Sequence, residues 1–142
     1  MPAAGAVYLP WWILTSGGRS PRPVVWPAAI LIAGGIVLYL WCLWQFGATG
    51  RGTPGPWDPP RRFVAAGPYR FVRNPMYISA GLVIGGEAVL FWSLPLAVYL
   101  VLAALGVHAF VQLYEEPVLR RAFGDDYAEY LRKVHRWIPR VP

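Results

Sequence analysis

Charge is scarce in this chain, and what there is carries mostly one sign. Only 14% of the 142 residues are charged, against about 25% in an average soluble domain. Seven acids face thirteen basic residues, of which Lys133 is the only lysine. Two histidines and one cysteine provide no metal-ligand cluster, and Cys42, alone inside an apolar run, excludes an internal disulfide. No Gly-rich loop follows a strand-like segment, no Walker sequence is present, and Gly85-Gly86 is an isolated pair in an apolar stretch. Ser/His/Asp and Cys/His constellations are likewise missing, as are internal repeats and low-complexity tracts. These absences remove the soluble nucleotide-binding enzymes, the common nucleophilic hydrolases and the metalloenzymes.

What remains is greasy. Hydrophobic residues make up 56% of the chain, above the roughly 45–50% of a soluble domain, so much of the surface faces something other than water. A lipid bilayer is the simplest such environment. The net charge of +6 does not indicate nucleic acid, because the arginines flank apolar runs, where they meet anionic headgroups.

In chain order, residues 1–23 form an arm. Its apolar run, residues 7–14, is broken by Pro10 and is far shorter than the roughly 20 residues a spanning helix needs. Without a charged stretch ahead of it, it does not read as a signal peptide. Two readings stand: an interfacial anchor through Trp11 and Trp12, or the tail of a further span. Residues 24–46 are a first span that ends on aromatic Trp41 and Trp44, with Gly34-Gly35 read as a close-packing surface rather than a weak point. Residues 47–75 are a Gly/Pro-rich loop carrying five arginines and one aspartate, a bias that places it on the cytoplasmic side. Residues 76–114 form a helical hairpin whose uncharged turn is Ser93-Leu94-Pro95. Residues 115–142 are a polar segment in which Pro117 stops the preceding helix and a short amphipathic helix follows, with Phe123, Tyr127, Tyr130, Leu131 and Val134 on one side. The expected architecture is a single all-α domain, a polytopic membrane protein with about three transmembrane helices: one span plus a hairpin.

Polar residues inside or beside the apolar runs are the candidates for chemistry, because a charge at membrane depth is costly. Glu87 reads either as a functional group or as a neutral, hydrogen-bonded packing residue. His108, Gln112, Glu115 and Glu116 fall at helical spacing on one face, and His108 is either catalytic or a packing residue. Two adjacent carboxylates at a helix C-terminus oppose its dipole and repel each other. They either pair with Arg120 and Arg121 on a wet surface or serve a ligand, and the second reading is preferred. The reaction itself is not legible at this level.

The order Gly67-Pro68-Tyr69-Arg70-Phe71-Val72-Arg73-Asn74-Pro75-Met76-Tyr77, then Glu115-Glu116, then Phe123-Gly124-Asp125-Asp126-Tyr127 and Tyr130, resembles the isoprenylcysteine carboxyl methyltransferases and their phospholipid methyltransferase relatives. The resemblance covers residues 38–139. It implies an integral membrane enzyme of bacterial type, in the inner membrane, that uses S-adenosylmethionine at the cytosolic face. The implied site lies between the loop, the hairpin and the C-terminal segment. The implied partners are the bilayer and a lipophilic small-molecule acceptor, and no nucleic acid. Carried over by position, the cofactor contacts fall on Tyr69, Asn74, Pro75, Met76, Tyr77, Glu115 and Glu116, with Arg62, Phe63 and Val64 as a weaker strip. Catalytic residues are not assigned by the motif, which leaves Glu87 and His108 as candidates. Asn74 stands where the family commonly has His, and Ser79 where it often has Gly. Val111 occupies the place of an Arg found in members acting on prenylated cysteine, which argues against that acceptor. Sterol reductases, which use NADPH, end in a similar arrangement, and a non-catalytic protein that kept the fold is the third reading.

Overall fold

The computed structural model describes residues 2–17, 25–50 and 65–139. All regular structure among them is helical. The helices are α1 (Pro2–Gly17), α2 (Val25–Gln45), α3 (Pro75–Leu90), α4 (Leu94–Phe110) and α5 (Glu116–Lys133). A wide π-type turn, Phe46–Gly50, ends α2, and another, Val111–Glu115, joins α4 to α5. The chain divides into two compact units: Met1–Tyr39 with Met76–Gly106, and Leu40–Pro75 with Val107–Pro142.

The first unit is a helical assembly built on close backbone approach. A Cβ added at Gly35 of α2 would lie 2.7 Å from the Ser79 carbonyl oxygen and 2.8 Å from Val83 of α3. One added at Gly86 of α3 would lie 2.6 Å from Ile32 of α2. Only glycine lets these helices touch so closely, the usual device where lipid gives no hydrophobic drive for association. Gly34, its neighbour, faces open space, so the Gly-Gly pair divides its role. Ile84 and Leu96 form the core, with Ile13, Leu14, Ala80, Ala88, Tyr99 and Leu100 packed on it.

The turn at Ser93-Leu94-Pro95 also caps the helix that follows it. Ser93 stands at the N-cap of α4, its hydroxyl accepting from the Leu96 N–H at 3.4 Å. Pro95 sits in the first turn, where a missing N–H costs nothing.

The arm differs from expectation. Residues 2–17 form one helix that runs through the fully buried Pro10, and Tyr99 ties it down by donating to the Gly5 carbonyl at 3.0 Å. Tertiary packing holds a helix that a proline inside a short apolar run argued against. At 1.5 Å per residue it is about 24 Å long, still short of a bilayer core of about 30 Å.

Among the described residues, two helices are long and apolar enough to cross a membrane, Val25–Ala48 and Leu94–Lys133, and α3 is a shorter apolar helix. Their large side chains point outward: Trp26, Ile30 and Val37 on α2, and Val101, Leu102 and Leu105 on α4, are all exposed. Such a surface marks a face turned to a membrane or a partner rather than to water.

In the second unit the expected stripe becomes the core: Tyr127, Tyr130 and Val134 are buried, with Leu119, Phe123 and Leu131 packed around them. Gly124 breaks α5 with φ 51°. Pro117 does not stop the helix as its sequence suggested. The helix runs on through a π-type turn that bonds the Glu116 N–H to the Val111 carbonyl, a local widening that takes Pro117 in without ending the helix.

Candidate functional site

That continuity changes the meaning of the two adjacent acids. Read as the end of one helix, they would oppose its dipole. Glu116 instead lies inside a helix that continues past Pro117, so no helix end opposes the pair. The wide turn also breaks the single face expected for His108, Gln112, Glu115 and Glu116. Gln112 is exposed, His108 and Glu115 are half-buried, and Glu116 is buried.

The partners of Glu116 are neither Arg120 nor Arg121. Arg136 donates Nε–H to Oε1 at 2.8 Å and Nη2–H to Oε2 at 3.0 Å, while Arg73 Nη1 donates to Oε1 at 3.2 Å. Burial pushes the Glu116 carboxyl up, but the hydrogen bond and charge of Arg136, with the charge of Arg73, outweigh it and hold the group below the usual carboxylate range. The same hydrogen bond raises the Arg136 guanidinium.

Arg73 is the hub of the unit. Beyond Glu116 it donates through Nε to the Val134 carbonyl and through Nη2 to the Leu131 carbonyl at 2.6 Å. A guanidinium on the last carbonyls of a helix satisfies orphan acceptors and meets the negative end of the dipole. Its backbone N–H donates to the His135 carbonyl at 3.0 Å, beside a parallel bridge between Val72 and His135. Asn74, buried, donates Nδ2–H to the Arg136 carbonyl at 3.3 Å. The tail after α5 is therefore fastened to the loop before α3 by backbone, amide and guanidinium together.

Tyr69 lies in the tight turn Gly67–Arg70. Gly67 adopts φ 58°, and a Cβ there would meet Gln45 Cγ at 2.6 Å, so both conformation and space require glycine. The Tyr69 ring meets Phe46 edge-on at 5.5 Å, and its carbonyl accepts from the Tyr130 hydroxyl at 2.6 Å. Burial, then the nearby Cys42, drives the Tyr69 hydroxyl far above its usual value. Tyr127 is pushed up to about 12, first by burial and then by the Glu116 charge.

Of the residues expected at a cofactor site, Tyr69, Asn74, Pro75, Glu115 and Glu116 fall in this unit, and Met76 and Tyr77 fall in the other. Glu115 is half-buried and engaged with neighbours. Arg62, Phe63 and Val64 lie outside the described residues. Glu87 belongs to the other unit, and among the described residues its buried Oε2 has no hydrogen-bond partner. Sequence reasoning missed Arg136 and Trp137. Trp137 donates its indole N–H to His108 Nδ1 at 2.9 Å. The one available signal was that the acids, too few for their cations, must be shared among distant arginines.

A family model described as phospholipid methyltransferase matches residues 24–126. The chain belongs to that family. The match takes in the loop carrying Tyr69 and Asn74 and both acids, Glu115 and Glu116. Family membership makes this a methyltransferase of lipid-like membrane substrates, and with two helices able to cross a bilayer, an integral membrane protein. Searches of curated proteins and of solved structures each give no match.

Proposed function

We propose that this protein transfers a methyl group from S-adenosylmethionine to a lipophilic, membrane-embedded acceptor, with its site at the cytosolic face of a bacterial inner membrane. The observation that carries the reading is the family match across residues 24–126. The positive bias of residues 47–75 supports the cytosolic placement, as the hairpin does a topology of one span plus two.

The donor set suits such a cofactor. Glu115, half-buried beside the start of α5, supplies a carboxylate for hydroxyl or ammonium groups, and the Asn74 amide, buried in its own unit, adds donor and acceptor capacity. Tyr69, Pro75, Met76 and Tyr77 complete the proposed contacts. The cofactor supplies an activated methyl, so the chain needs no nucleophile of its own. Its task is to hold the acceptor in line with that methyl and to exclude water. Of the expected contacts, Glu116 has both oxygens committed to arginines, so it serves the site by holding Asn74 and the tail in register.

The test is titration of the detergent-purified protein with S-adenosylhomocysteine and separately with NADPH, followed by transfer of labelled methyl to phospholipid. Binding of the first that weakens about tenfold in Glu115→Gln, the worth of one hydrogen bond to a charged group, supports the reading. Binding of NADPH alone moves the chain to reductase chemistry, and binding of neither leaves a non-catalytic member of the family.

A further inference from the structure

The tail brings its Trp137 indole to His108, and that contact fixes more than packing. Indole N–H only donates, so a ring nitrogen 2.9 Å from it must accept. His108 Nδ1 therefore carries a lone pair, and the imidazole proton resides on Nε2. The rings lie 6.1 Å apart at 36°, tilted rather than stacked, so the hydrogen bond and not ring contact sets the geometry. Trp137 itself is placed by its neighbour, since Arg136 is locked on Glu116 by two hydrogen bonds.

The other edge of the ring is then a donor in search of an acceptor. Among the described residues His108 Nε2 has no hydrogen-bond partner, and the residue is half-buried near the end of an apolar helix. A half-buried ring that holds its one N–H at a fixed edge is suited to an oxygen acceptor brought by a bound molecule. We infer that Trp137 is a positioning residue that holds His108 as an Nε2–H donor to an anionic oxygen of the acceptor's headgroup, phosphoryl oxygen being the fitting chemistry. His108 thus recognises the acceptor and is not its general base. This rests on the methyltransferase reading for its substrate and on geometry alone for its tautomer.

Two substitutions separate the roles. In His108→Asn the side-chain oxygen still accepts from Trp137 but the distal donor is gone. In His108→Gln the amide reaches toward the Nε2 position. The probes are a short-chain phosphatidylethanolamine and an alkylamine of equal chain length without phosphate, both in detergent micelles. His108→Asn should raise KM for the phospholipid about tenfold, as loss of one hydrogen bond to a charged oxygen implies, while the phosphate-free amine and S-adenosylhomocysteine affinity stay within about twofold. His108→Gln should recover most of the phospholipid KM. An equal effect on both acceptors, or none on either, overturns the proposal and leaves the pair as a staple for the tail.

A readout independent of turnover uses protein labelled with 15N-histidine. Wild type should show His108 protonated at Nε2 and bare at Nδ1, with the preference lost in Trp137→Phe. Adding the phospholipid should shift the Nε2 resonance. A protonated Nδ1, or no shift on titration, overturns the inference even if no methyl transfer is found. Absent transfer with the expected tautomer and shift overturns only the methyltransferase reading.

Discussion

Arg136 grips Glu116 through two parallel hydrogen bonds, 2.8 Å from Nε to Oε1 and 3.0 Å from Nη2 to Oε2. This fork joins the first turn of α5 to the tail that follows its last turn, so one helix is closed on itself by its own flanks. The carboxylate side chain is 10% exposed and the guanidinium 25%, which makes the pair more than a surface bridge and less than a dry one.

Glu116→Ala removes the acceptor for two arginines. Because both guanidinia keep some solvent, the cost should be about 2–3 kcal/mol, below that of breaking a fully buried pair. A lowered folded-state carboxyl value means its stabilisation is present above the unfolded value, near 4.5, and is lost as pH falls through the lower folded value. Thermal unfolding in detergent across that acid range should show a limb that flattens in Glu116→Gln. An unchanged limb would remove Glu116 from the account.

Arg73 bonds Val134, Leu131 and Glu116 through three different nitrogens. Lysine keeps the charge but not the planar fork. Arg73→Lys should therefore lose about 1–3 kcal/mol, most of what Arg73→Ala loses. Hydrogen exchange supplies the local readout: the Arg73 amide, bonded to the His135 carbonyl at 3.0 Å, should lose protection in both variants. Full protection in Arg73→Lys would mean that charge alone holds the tail.

Gly67→Ala meets two obstacles, the positive φ and the Gln45 side chain. Removing the second with Gln45→Ala should restore part of the loss and leave about 1 kcal/mol of backbone strain. Tm values of the two single variants and the double variant decide it. Additive losses would show that Gln45 bends away at no cost.

The two glycines of α2 offer an internal control. Gly35→Ala places a methyl 2.7 Å from the Ser79 carbonyl, whereas Gly34→Ala meets nothing within 4 Å. The first should destabilise by about 1–3 kcal/mol, as overpacking does, and the second should be neutral or slightly stabilising. Unfolding of each variant in sodium dodecyl sulfate titrations measures both, and equal behaviour of the pair would contradict the close crossing of α2 and α3.

Much of the fold was legible in the sequence, because hydropathy, Gly/Pro punctuation and arginine placement are local properties. They give an all-helical chain, the turn at Ser93-Leu94-Pro95, and the stripe of Phe123, Tyr127, Tyr130, Leu131 and Val134 that becomes a core. The motif residues of the proposed site were likewise visible through their resemblance to a family that the chain belongs to. Tertiary structure decided the rest. That Pro10 would be housed inside α1, that the helix would run on through Pro117 instead of ending there, and that Glu116 would bind Arg73 and Arg136 over Arg120 and Arg121 all depend on partners far away in sequence. A proline is judged by the hydrogen bond it removes, and a wide turn had already made that bond unnecessary. A carboxylate is judged by its nearest cations, and only the folded tail could bring Arg136 and Trp137 to Glu116 and His108.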